Sequence, residues 1–526
     1  MFRRFARVML ATAALVPGAA QAGWYQGSSQ HFVVYSNDSQ DNVKAYTAKL
    51  ERFDKAMRVW HVTPDDKRGP ASRVTIFVVG SVGDVQKLAG RSGVAGFYIG
   101  RAEGSVAFVP RSGGDGDLSA QAILFHEYTH HWMFSNWSDA AFPYWFAEGF
   151  AELHATAIMR PDGSVTFGAA PDYRRYTVGK SNLMPAGDLL RVKPSDNIDG
   201  ASRDAVYSRG WLLLDYLTFD DERRGQLSKY ITAINSGTRV DEAAKLLGNP
   251  GTLDQRMTNW GKRSQLPSYT ANAADLKIGD VAVRPLSAGE AALMPVLIMS
   301  RRGVDAKRAA EAITLARRLA TGFPDDAGAQ NALAEAEFDA ANSGPATEAM
   351  AGFQRAEAAA DRARAADPRS IHALLYKGQA MQAQAEKEKS TDPARWQAIR
   401  KWYLAANKLD TEDPEPLILY YQSFRPAGEK PTANADNAMV YAYVLAPYDS
   451  AVRVAAARVL LAQNKVKDAR VALAPVAYNS EAPGLSAIGG QALAAIDKGD
   501  IDGAIKLLAP PADDKKNDPR GSEKKS

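Results

Sequence analysis

The 526-residue sequence predicts an α+β N-terminal sheet, then a helical unit built around a metal-binding motif, then an all-α solenoid. Three textures along the chain carry that reading. Short β-branched runs flank one helical period before about residue 111. An HExxH pentapeptide lies in an apolar stretch at 126–130, and alanine-rich segments punctuated by aspartate-proline fill the chain beyond about 286. A hydrophobic share of 46% supports packed cores, and the length leaves room for about three domains.

The start, residues 1–22, reads as a secretory signal. Arg3, Arg4 and Arg7 precede an apolar run from Val8 to Val16, and Ala20-Gln21-Ala22 stands before Gly23. That run is much shorter than the roughly 20 residues of a membrane span, and no later segment is long enough either, so a soluble exported chain is expected. Net charge falls from +4 to about +1 when those three arginines leave (4 minus 3), and no basic cluster interleaves with aromatics, which argues against nucleic acid as a partner. Zero cysteines exclude disulfides and lipid attachment through an N-terminal cysteine. In an exported chain this fits a Gram-negative periplasm.

Residues 23–116 read as a small α+β subdomain. His31 to Ser36 alternates as a strand does, and Val43, Tyr46, Leu50, Phe53, Met57 and Trp60 recur at helical spacing. Arg73 to Val79 is a second strand. Val94 to Ile99 and Ser105 to Val109 follow as a hairpin joined through Gly100 and Gly104.

Residues 117–275 read as mostly helical, with helices over Leu118–Phe134, Phe146–Met159 and Ala205–Leu217. Gly113, Gly114 and Gly116 mark the loop before the first. His126 and His130, four apart on a helix, differ by roughly 40° and about 6 Å of rise, so two imidazoles face one point. Glu127 lies beside that face, within reach of a water on the metal. A catalytic zinc site usually takes three protein ligands. Glu148, on the next helix, is the candidate third. His131 is about 100° around the helix from His130 and cannot share the ligand face; His154 falls on a side face, and His31, His61 and His372 have no partner at a recognisable spacing.

His126-Glu127-Tyr128-Thr129-His130-His131-Trp132, Glu148-Gly149 eighteen positions beyond His130, and Tyr207-Ser208-Arg209-Gly210 opening a later apolar helix together resemble the gluzincin zinc metallopeptidases. The likeness is to the peptidase-MA-like families of the aminopeptidase N and leukotriene A4 hydrolase lineage, and it covers about residues 120 to 220. It implies a zincin catalytic domain with Zn2+ held by His126, His130 and Glu148. Glu127 would act as general base, Tyr207 would hydrogen-bond the oxyanion, and Glu152 would orient a ligand histidine. Losing Tyr207 is expected to slow turnover and spare the metal. A strand at the sheet edge would pair with extended substrate. The GAMEN segment of the exopeptidases is absent, so removal of N-terminal residues is not implied, and Arg209 stands where these relatives often carry lysine.

Residues 286–509 read as degenerate tetratricopeptide-like repeats. Pro324, Pro368, Pro414 and Pro447 are expected to close successive helical segments at spacings of 44, 46 and 33, against a repeat period of about 34. Ala455–Leu461 with Val466–Leu473, then Ala487–Ile496 with Ile501–Leu508, are the last helix pairs. Residues 510–526 are charged and predicted to be disordered. The resulting expectation is an exported metallopeptidase that acts on a peptide or protein, with a protein partner on its repeats. The alternative is a periplasmic scaffold whose peptidase-like domain turns over little.

Overall fold

The computed structural model describes residues 23–65, 69–92, 94–111, 119–178, 180, 182–479 and 482–510. The expected signal segment, the Gly113–Gly116 loop and the charged tail beyond 510 lie outside the described residues.

The N-terminal part opens with β1 (Tyr25–Ser28), β2 (Phe32–Ser36) and α1 (Gln40–Trp60). Ser39 caps α1 by accepting the Asn42 N–H, and Val43, Leu50, Phe53 and Met57 form its buried stripe. Then come β3 (Val74–Val79), α2 (Val82–Ala89) and the antiparallel hairpin of β4 (Phe97–Ile99) and β5 (Val106–Pro110). The chain turns toward β5 through Gly104 at φ 110°, a conformation that favours a residue without Cβ. β4 is shorter than the expected Val94–Ile99 because pairing with β5 begins only at Phe97.

The helical part contains α3 (Ala120–Asn136), α4 (Tyr144–Ala155), β6 (Ile158–Met159), β7 (Val165–Phe167), α5 (Arg175–Val178), α6 (Ala186–Leu189) and α7 (Gly200–Phe219). It continues with α8 (Gln226–Asn235), α9 (Val240–Ala244), α10 (Pro250–Gly261) and β8 (Tyr269–Ala271). Every residue of α4 is buried, as expected of a helix apolar on all sides. The helix expected to run to Met159 stops at Ala155, and Ile158-Met159 instead pairs with β7 in a three-stranded sheet ordered β6-β7-β8. α4 and α7 cross at a glycine pair. A Cβ on Gly149 would stand 2.5 Å from the Gly210 carbonyl, and one on Gly210 would stand 2.6 Å from Trp145 O.

A strand beyond these helices, β9 (Ala282–Pro285), returns to pair with β1, giving a mixed six-stranded sheet ordered β4-β5-β3-β2-β1-β9. β2, β3 and β5 run parallel. Phe32, Val34, Ile76, Ala107 and Val109 face a core shared with α1 and α3. On the other face Tyr35, Phe77, Phe108 and Phe97 stack ring on ring across four strands, at 4.9–5.4 Å between centroids.

The repeat region covers that second face. It consists of α11 (Ala288–Arg302), α12 (Ala306–Ala320), α13 (Ala327–Ser343), α14 (Ala346–Ala366), α15 (Ile371–Lys387) and α16 (Pro393–Leu409). These are followed by α17 (Pro414–Gln422), α18 (Ala433–Leu445), α19 (Ser450–Ala462), α20 (Val466–Ala477), α21 (Pro483–Asp497) and α22 (Ile501–Leu507). Successive helices pack on one another in a solenoid-like array. Met294 and Ile298 of α11 join the outer core of the sheet, and Ile418, Tyr421, Phe424 and Tyr448 join the same core as Phe125 and Tyr128 of α3. Pro324, Pro368 and Pro447 follow helix ends, but Pro414 opens α17 at its first turn, with Asp413 as the cap, where a missing N–H costs nothing. No described helix is long and apolar enough to cross a membrane.

Candidate metal centre

α3 begins where Ser119 accepts the Ala122 N–H, and its second and third turns present His126 and His130 one above the other. Their Nε2 atoms are 3.2 Å apart. α4 brings Glu148 opposite them, with Oε2 at 3.4 Å from each Nε2. Two donors about 2.05 Å from one ion at the tetrahedral angle lie about 3.3 Å from each other, so the triangle has the spacing that tetrahedral zinc requires and leaves a fourth corner open.

The charge arrangement fits a cation as well. Glu148 is wholly buried, and its Oε2 faces the two imidazoles at 3.4 Å, an arrangement that is costly for a carboxylate without a positive partner. Burial pushes its carboxyl up, but the facing His130 and His126 imidazoles outweigh burial and hold it well below the usual carboxylate range.

Glu152, one turn along α4, places Oε1 3.6 Å from Nδ1 of His126. Tyr173 donates to its Oε2 at 2.7 Å, and Arg174 donates to Oε1 from Nη2 at 2.8 Å and from Nε at 3.1 Å. Arg174 also pairs with Asp204 and lies over the Tyr207 ring, 4.8 Å from its centre. That ring in turn stacks on His126 at 5.8 Å and 17°. Glu127 is half-buried on α3 beside His126. The fold thus brings His126, His130 and Glu148 to one point, with Glu152 and Tyr207 set against His126 and Glu127 adjacent in the chain.

Sequence reasoning missed Tyr173, Arg174 and Asp204. The first two lie on a short turn at Asp172–Arg174, whose only signal was a cluster of tyrosine and arginine after Pro171. It also passed over partners of other histidines. His31 Nδ1 meets Glu51 at 2.8 Å and Asp54 at 3.5 Å, a second group whose donors converge. There, however, Arg58 Nε donates to Asp54 at 2.6 Å, so a guanidinium already fills the cation's place. Tyr128, inside the HExxH motif, donates to the other Asp54 oxygen at 2.8 Å and ties α3 to α1. His61 and His154 approach at 2.8 Å, and burial brings the His154 imidazole down to about 3. His131 faces away from the triangle, with Nδ1 2.8 Å from Tyr98 Oη. Arg209 is buried and spans from Met184 O to Asp254, bracing the middle of α7.

A cavity of about 720 Å3, walled by Trp60, Trp137, Phe146 and Phe150, lies on the side of α4 opposite Glu148 and Glu152.

No family model matches the chain, and no curated protein does. Among solved structures, a thermophilic TPR protein of Thermus thermophilus is similar at 16% identity and a TM-score of 0.31, over 39% of this chain and all of that one.

Proposed function

We propose that the protein is an exported zinc-dependent metallopeptidase of the gluzincin kind, followed by tetratricopeptide-like repeats. The observation that carries this reading is the buried triangle of His126 Nε2, His130 Nε2 and Glu148 Oε2, with sides of 3.2–3.4 Å. A zinc ion held there would lower the pKa of a coordinated water and polarise a scissile carbonyl. Glu127 accepts the proton of the attacking water and passes it to the leaving amine. Tyr207 donates to the oxyanion that forms on the carbonyl, and Glu152, itself held by Arg174 and Tyr173, keeps the His126 ring turned toward its neighbours. β4, the terminal strand of the sheet beside α3, offers its open edge to an extended peptide.

Zinc content of wild type and His126→Ala, with digestion of a peptide library by wild type and Glu127→Gln, tests the proposal. Stoichiometric zinc lost in His126→Ala, and turnover reduced roughly 10²–10⁴-fold in Glu127→Gln with zinc kept, are expected. Zinc present but digestion indifferent to Glu127→Gln would move the assignment to a scaffold that binds peptides through its repeats.

A further inference from the structure

The β4–β5 hairpin is held at its tip by two distant helices of the repeat region. Arg101 donates from Nη2 to Arg301 O, at the end of α11, at 2.7 Å. The next residue, Ala102, donates its backbone N–H to Asp449 Oδ2 at 2.8 Å. Asp449 is also the cap of α19, where its Oδ1 accepts from the N–H groups of Ala451 and Val452 at 2.8 and 3.1 Å. One carboxylate therefore starts a repeat helix with one oxygen and grips the hairpin with the other. Its neighbour Tyr448 packs against His131 with ring centres 4.4 Å apart, and His131 meets Tyr98, the central residue of β4. A three-residue strand paired on one side has little ladder of its own. Beyond its pairing with β5 and the Phe97 ring stacked on Phe108, its placement beside α3 is supported by these contacts.

We propose that Asp449 is a positioning residue through which the repeat region sets the β4 edge for peptide substrate, so that the repeats control substrate affinity and not only recruitment. The substrate half of this inference rests on the metallopeptidase reading; the grip on the hairpin does not.

Two variants isolate the grip. Asp449→Asn keeps size and the capping oxygen but turns an N–H donor toward the Ala102 N–H, and Asp449→Ser caps well but is too short to reach Ala102. Hydrogen exchange followed by mass spectrometry is read on peptides spanning 97–106 and, separately, on α19. KM and kcat are read on an extended peptide cleaved by the wild type, at equal zinc content. Exchange at the hairpin roughly tenfold faster in both variants, α19 unchanged, KM raised several-fold and kcat held, is the expected result. Unchanged hairpin exchange overturns the proposal whatever the activity. Faster exchange spread equally through α19 also overturns it, because it reports a lost cap, and so does a loosened hairpin with unaltered KM. A wild type that cleaves nothing sinks the peptidase reading and the substrate half with it, while the exchange measurement still decides the grip.

Discussion

Gly210→Ala tests whether the crossing of two helices sets the geometry of the centre. A methyl at this position would stand 2.6 Å from Trp145 O, whereas ordinary contact starts at 3.4 Å, so α4 and α7 must part by about 0.8 Å. The opposing atom is the carbonyl of a fully buried helix and has no rotamer to escape into. Forcing that gap in a packed core costs about 1–3 kcal/mol. The three side chains of the triangle lie on α3 and α4, while Tyr207 lies one turn before Gly210 on α7. The displacement therefore draws Tyr207 away from His126 and leaves the triangle closed. A misplacement approaching 1 Å lowers turnover on the order of 10²-fold. Urea unfolding followed by tryptophan fluorescence, zinc titration and peptide digestion give the three readouts. Stability and turnover should fall together with zinc retained. Gly490→Ala is the control: that glycine is exposed in α21 with nothing near its missing Cβ, and the change should stabilise by about 0.5–1 kcal/mol. Wild-type stability in Gly210→Ala, or loss of zinc with stability intact, would refute the reasoning.

Glu152→Gln keeps one oxygen for Arg174, turns an amide N–H toward the Tyr173 hydroxyl, which can accept it, and removes the charge facing His126, so zinc affinity in a chelator competition should drop roughly 10–100-fold with the fold retained; equal affinity would show that the pairing is idle. Asp215 accepts from Trp260 Nε1 at 2.6 Å inside α7, and burial holds its carboxyl up at about 7 against 3.8 when unfolded. Between those values the folded chain keeps a proton that the unfolded chain has lost, so stability falls as pH rises, by about 4 kcal/mol once the group is fully ionised, at about 1.4 kcal/mol per pH unit. Asp215→Asn should flatten that fall in urea midpoints taken from about pH 4 to pH 8 and stabilise the neutral-pH protein, and an unaltered slope would count against it.

What could be read from the sequence was what one helix determines by itself. His126 and His130 share a face because of the 3.6-residue turn, α1 has a stripe long enough to declare itself, and α3 and α7 are long apolar runs buried on most sides. Glu148 could be named only as a candidate on the next helix, which the resemblance then singled out, since nothing local says that α4 folds back over α3. The Asp172–Arg174 turn is too short for any period, and its relevance arises only when Arg174 reaches Glu152 across 22 residues. β1 and β9 escaped notice because their pairing spans over 250 residues of chain. Ile158-Met159 was absorbed into a helix because two residues cannot show alternation. Pro414 was misplaced because aspartate-proline marks a helix start as readily as a stop, and only the Asp413 cap decides between them. The partners of His31 went unseen for a related reason: Glu51, Asp54 and Arg58 lie on one face of α1, but His31 comes to them from a neighbouring strand end.

The balance of permanent charge around the triangle leaves a place that a cation could take. Arg174 is the nearest guanidinium to Glu152, and it is committed to Glu152 on one side and Asp204 on the other. Its charge is thereby used at the back of His126 and does not reach Glu148. What remains at the front is one fully buried carboxylate facing two imidazole nitrogens. Such a group needs compensation either from a proton on an imidazole or from an ion set between the three atoms. A proton on one Nε2 serves one edge of the triangle, whereas an ion serves all three at once, at a spacing already matched to it. The outer pair, Glu152 with Arg174, fixes the His126 ring without competing for that place. The inner carboxylate is thus available to a metal because the outer one is already satisfied.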